Sequence, residues 1–219
     1  GNPLPQAGEK LLDEILTGAG LQTVYKTRSQ PSVVRYEGEI DGLEVEIEFL
    51  TDLKGSGEAE VIEVQPGLHA EALRYLAVLL ENTIEVVINY APGIGGVEAG
   101  LRVRLPSPAA FIFNKGLVFL RRKERLKKGK DLYYIFDLLA YREDFKERAV
   151  ADLRRLGERY EKWFKTFKGN LAEAFSDPGS DSVALAAQQR PPGAFSALDD
   201  RQMKQYIFAT FQDFLPRLQ

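Results

Sequence analysis

The sequence predicts an α+β protein: a mixed, largely antiparallel sheet with flanking helices, followed by an all-helical C-terminal part. Two strand-like runs, 33–40 and 43–50, meet at Asp41-Gly42, a strong hairpin turn, and the second alternates apolar and acidic residues with period two. A second strand pair is expected over 83–90 and 97–105. At Leu105-Pro106-Ser107-Pro108 the character changes, and from there apolar residues recur every three or four positions. The chain is therefore read as an α/β part over 1–105 and a helical part over 106–219.

The elements follow in order. Leu11, Leu12, Ile15 and Leu16 stand at helical spacing, so a short helix is expected over 7–16, stopped by Gly18 and Gly20. Strands are expected over 21–26 and 59–64, and Pro66-Gly67 marks a turn. Ala72, Leu73, Leu76, Ala77 and Leu80 suggest a helix over 69–80. Ser107 is a good N-cap with Pro108 in the first turn of a helix over 109–120. A basic connector over 121–130 leads to a helix over 132–141. A broad apolar stripe over 145–167 carries Phe145, Val150, Leu153, Leu156, Tyr160, Trp163 and Phe164, with Trp163 read as core. After a loop over 176–181 and a weaker helix, Arg190-Pro191-Pro192-Gly193 is a firm break, and 201–215 closes the chain.

Composition narrows the chemistry. Of 219 residues, 29 are basic and 32 acidic, a net charge of −3, and 44% are hydrophobic, which is enough for a packed core and excludes disorder throughout. The absence of cysteine excludes disulfides, thiolate metal sites and cysteine nucleophiles. A single histidine, His69, excludes His-rich metal sites and reads as an exposed polar residue. No apolar run is long enough to span a membrane and no signal peptide opens the chain, so a cytoplasmic protein with no membrane partner is expected. The start Gly1-Asn2-Pro3 lacks an initiator methionine and reads as a cleavage scar, with the natural start expected upstream.

Two constellations could carry chemistry. Glu44, Glu46 and Glu48 share one face of a strand. That face is either simply solvated, or places one carboxylate at a cleft edge to hold magnesium, which takes one or two carboxylates completed by water and phosphate. The second constellation is Lys115 with the segment 121–130, in which seven of ten residues are basic. Such a reversal of sign in an acidic protein attracts phosphates, although a solvated helix end would look the same. Lys115 interrupts an apolar helix, so its ammonium must snorkel outward or face an anion. Gly93-Ile94-Gly95-Gly96 and Gly55-Ser56-Gly57 read as turns and loops rather than phosphate cradles.

Glu48-Phe49-Leu50-Thr51, the run from Pro106 to Lys115, and Lys130-Asp131-Leu132-Tyr133-Tyr134-Ile135 together resemble the nucleotidyltransferase superfamily, closest to its bacterial branch of AbiEii-type abortive-infection toxins and uncharacterised relatives. The resemblance covers about residues 8–145. It implies magnesium-dependent transfer of a nucleotidyl group from a nucleoside triphosphate to a hydroxyl acceptor on RNA, protein or a small molecule. It also implies Glu48 as the third metal-binding, catalytic carboxylate, Lys115, Arg121 and Lys130 as phosphate or acceptor contacts, and Asp131 as a helix-start carboxylate that orients them. Glu48 and Lys115 would then serve one pocket. The family's Gly-Ser turn and Asp-x-Asp pair do not occur upstream of Glu48, which implies a segment upstream of Gly1 or a degenerate relative, and a polypeptide that does not catalyse transfer alone. The alternative is a non-catalytic regulatory module that binds RNA or an acidic protein through 121–130.

Overall fold

The computed structural model describes residues 11–27, 30–40, 42–55, 61–88 and 100–219. It divides into two compact units, Gly1–Ala77 and Val78–Gln219. The α+β class is as the sequence predicts, with a helical C-terminal half, and among the described residues the strands form three small, mostly antiparallel sheets in place of one.

In the first unit, helix α1 (Leu12–Gly18) precedes β1 (Gln22–Thr27), β2 (Gln30–Ile40) and β3 (Leu43–Glu48), which pair antiparallel in that order. The expected start of the helix at 7–10 lies outside the described residues, as does Asp41 of the hairpin; Gly42 takes φ +78°, the left-handed geometry such a turn needs. One face of this sheet is apolar. Tyr36, fully buried, packs with Leu21 and Leu68, and Val45, Ile47 and Phe49 close over them. The Tyr36 hydroxyl donates to Asp13 Oδ1 at 2.7 Å, so this buried polar atom is satisfied.

Next come β4 (Leu50–Asp52), β5 (Val61–Gln65) and β6 (Leu68–Leu73), ordered β4-β6-β5, with β6 parallel to β4 and antiparallel to β5. Here the expected helix over 69–80 is corrected. Leu68, Ala70 and Ala72 are buried in alternation with their neighbours, a period-two burial that fixes a strand. Tyr75 takes φ +67° and ends it, and only then does the short helix α2 (Leu76–Glu81) begin, with the Ala77 amide donating to Asp52 Oδ1 at 2.9 Å. His69 is also corrected: it is half-buried on β6, and its Nδ1 is buried with no hydrogen-bond partner among the described residues.

The second unit opens with the antiparallel ribbon β7 (Thr83–Ile88) and β8 (Leu101–Pro106). Residues 89–99, including the glycine run at 93–96, lie outside the described residues, as do 56–60. Ser107 then caps α3 (Pro108–Val118): its Oγ accepts from the Ala110 amide at 3.2 Å, with Pro108 in the first turn, where no amide is needed. A 3-10 turn (Phe119–Arg121) follows, and α4 (Arg125–Ala140) begins earlier than expected. The segment 121–130 is therefore not a connector throughout. Lysine, leucine and arginine favour helix, and Gly129 is tolerated within it because a Cβ there would lie 2.8 Å from the Leu185 carbonyl oxygen.

The long stripe expected from Phe145 to Phe167 is two helices, α5 (Glu143–Arg159) and α6 (Glu161–Ala174), separated at Tyr160, whose φ −122° and ψ +48° leave the helical region. Then come α7 (Asp181–Ala187) and α8 (Asp200–Phe214), the latter closed by a capping box between Asp199 and Gln202. Aromatic rings fill this core: Phe113 meets Phe164 and Phe167 edge-on at 5.8 and 5.2 Å. Trp163 is half-buried rather than core, its ring stacked on Tyr160 at 5.2 Å.

Candidate functional site

The two units carry different parts of the predicted site. Glu48 belongs to the first; Lys115, Arg121, Lys130 and Asp131 belong to the second.

On the first sheet, register places Arg35 opposite Glu48, Glu37 opposite Glu46, and Glu39 opposite Glu44. All three glutamates of β3 are exposed, while Val45 and Ile47 between them turn to the core. Arg35 bridges Glu37 at 2.7 Å and Glu46 at 3.3 Å, which neutralises part of this acidic face. Among the described residues no three His, Asp or Glu side chains group as a dedicated metal cage would require. Glu48, exposed at the end of β3, offers a single carboxylate. That donor set suits magnesium only in its substrate-borne mode, in which triphosphate oxygens and water supply the other ligands.

In the second unit the structure brings Lys115 and Asp131 together. Asp131 lies well inside α4, 3% exposed, rather than at a helix start. Its Oδ1 accepts from Lys115 Nζ and its Oδ2 from Arg122 Nε, both at 2.7 Å. A carboxylate removed from water is tolerable only when paired and hydrogen-bonded, and here each oxygen has its own cation. The Lys115 ammonium also lies 5.2 Å from the Phe111 ring centroid and 5.8 Å from that of Tyr134. Of the two readings of this lysine, outward snorkelling or an anionic partner, the structure shows an anion of the protein itself, Asp131. Arg121 and Lys130, next in sequence to Arg122 and Asp131, are exposed.

Arg122 is the participant that sequence reasoning missed. It was one of seven like residues in a run, and nothing in its local pattern marked it as the second ligand of a carboxylate nine positions later. The remaining basic residues are largely engaged at the surface: Arg125 pairs with Asp181 at 2.6 Å, Lys127 with Glu124 at 2.9 Å, and Lys128 sits over the Phe119 ring.

Beside Lys115 a cavity of about 430 Å³ opens between the β7–β8 ribbon and the α3–α4 pair. Ile84, Leu105, Phe111 and Tyr134 make apolar walls, and among the described residues Asp137 is its one charged lining residue. The neighbouring Tyr133 hydroxyl is held above the ordinary tyrosine range, first by burial and then by the charge of Asp137. No described helix is long and apolar enough to cross a membrane.

Neither a curated protein nor a solved structure matches the chain. The model of the Nucleotidyltransferase family matches residues 5–155, a span that takes in Glu48, Lys115, Arg121, Lys130 and Asp131. With more than half of its length matched, the chain belongs to the nucleotidyltransferase family.

Proposed function

We propose that the protein transfers a nucleotidyl group from a nucleoside triphosphate to a hydroxyl acceptor, with magnesium carried in on the triphosphate. The family match over 5–155 carries this reading. Magnesium, when bound, neutralises the charge that develops on the phosphoryl oxygens. Glu48 contributes one carboxylate to it. Arg121 and Lys130, both exposed, contact phosphate, and Arg122 adds a guanidinium whose Nε is already fixed by Asp131. Lys115 acts mainly as a positioning residue. By holding Asp131 it fixes Arg122 and the α3–α4 corner, which places cations before the substrate arrives instead of ordering them on binding. In the reaction the acceptor oxygen forms a bond to the α-phosphorus, the α–β bridge breaks, pyrophosphate leaves, and the hydroxyl proton passes to a base or water.

Calorimetric titration with an equimolar mixture of the four nucleoside triphosphates, with and without magnesium, tests this. Saturable binding strengthened by magnesium is expected, and Glu48→Gln should reduce the magnesium effect while leaving the fold intact. Absence of binding under both conditions would refute the reading. The alternative, a regulatory module that binds RNA or an acidic protein through 121–130, has no family match behind it. It would show instead as magnesium-independent binding that weakens steeply with salt.

A further inference from the structure

We infer that the cavity between the β7–β8 ribbon and helices α3 and α4 is a nucleobase pocket in which Asp137 selects bases bearing an amino group. The inference rests on the nucleotide reading above and adds the substrate selectivity that reading leaves open.

The cavity, about 430 Å³, falls in the range of roughly 300–1,000 Å³ typical of small-molecule sites. Its walls favour a flat, weakly hydrated ring. Ile84 and Leu105, directly opposite one another on the ribbon, supply one apolar surface although each is more than 40% exposed. Phe111 and Tyr134 supply the other, their rings 6.2 Å apart and tilted by 54°. Aromatic side chains of this kind bind bases by stacking, which every base can share. An apolar wall therefore holds a base without choosing it.

The choice comes from charge. The Lys115 ammonium lies near both rings that line the cavity, so a cationic ligand there would approach a like charge. A neutral ring is the better occupant. Asp137, one helical turn beyond Tyr134 on α4, lines the same cavity with a carboxylate whose oxygens serve as hydrogen-bond acceptors. Adenine, cytosine and guanine each carry an amino group that can donate to it. Uracil presents two carbonyl oxygens flanking a single N–H, so at least one acceptor meets the carboxylate. A mismatched polar contact in an apolar pocket is costly, because neither partner regains its water.

The test is a calorimetric comparison of ATP, CTP, GTP and UTP as magnesium salts on the full chain and two variants. The wild type should bind UTP about ten-fold more weakly than the tightest of the other three, the size of one good base contact. Asp137→Asn, whose amide both donates and accepts, should narrow that gap. Tyr134→Ala should weaken all four about ten-fold or more through lost stacking. Both side chains are exposed, and circular dichroism checks that the variants fold. Equal affinity for all four in the wild type, or a spread unchanged by Asp137→Asn, overturns the pocket while leaving nucleotide binding in place. A chain that binds none of the four overturns the nucleotidyl-transfer reading as well.

Discussion

Asp131 determines what the two most conspicuous lysines and arginines of this chain can do. Its carboxylate is clamped by Lys115 and Arg122, so removing one cation leaves a buried charge half compensated. Lys115→Met should destabilise the protein by about 3 kcal/mol, the lower end for a broken buried pair, because Arg122 remains. Lys115→Met combined with Asp131→Asn should recover part of that loss. Urea unfolding of the two variants checks this, and a single variant as stable as wild type would contradict it. The lysine was legible in the sequence because a lone cation stood in an apolar helix. Its partner's burial was not, because the basic run before Asp131 looked like a connector and placed the aspartate at an exposed helix start.

At the scale of elements, helix positions without side chains divide into two kinds. Gly129 packs α4 against α7, with the Leu185 carbonyl oxygen 2.8 Å from where a Cβ would sit; backbone cannot move aside cheaply, so Gly129→Ala should cost about 1–3 kcal/mol. Gly169, on the exposed side of α6, has nothing within 4 Å, so Gly169→Ala should stabilise by roughly 0.5–1 kcal/mol. Thermal unfolding of the pair separates close packing from helix propensity, and equal signs for the two would defeat it.

The ion network joining α5, α8 and the 3-10 turn Leu215–Leu218 that follows it has a pH signature. Asp213 is held below the ordinary aspartate range by hydrogen bonds first from Lys146 and then from Arg217, and Glu143 is lowered by the same two cations. Lowered carboxylates stabilise the fold above their unfolded pKa values, about 4, and that contribution disappears as pH falls through the folded values. Stability should therefore drop below about pH 4, less steeply in Asp213→Asn than in wild type. Denaturant midpoints from pH 7 to pH 2.5 measure it; parallel curves would show that the network contributes nothing.

Element boundaries were legible where sequence punctuation was strong. Ser107-Pro108 begins α3 as read, and Gly42 makes the β2–β3 turn. They failed where small residues fit two periods. Leu68, Ala70 and Ala72 alternate as a strand, yet Ala72, Leu73, Leu76 and Ala77 also satisfy helical spacing, and only pairing with β4 and β5 decided between them. Tyr160, which separates α5 from α6, carried no Gly or Pro to announce the break.

For the whole molecule, the α+β class followed from the change of character at Leu105-Pro106-Ser107, and the family from scattered residues between Glu48 and Asp131. The cavity with Asp137 was not legible, because it assembles from a ribbon and two helices whose side chains look like ordinary core when read in line. Glu48 stands on a solvated face, so Glu48→Gln should change stability by less than about 0.5 kcal/mol while weakening magnesium-dependent nucleotide binding; a large loss of stability would assign Glu48 a structural role instead. The most direct test of nucleotidyl transfer is the fate of the label. Incubation of the full-length protein with magnesium, RNA and protein acceptors, and a triphosphate labelled at either the α- or the γ-phosphate, should move the α-label onto an acceptor and leave the γ-label in pyrophosphate. Transfer of the γ-label, or of neither, would contradict it.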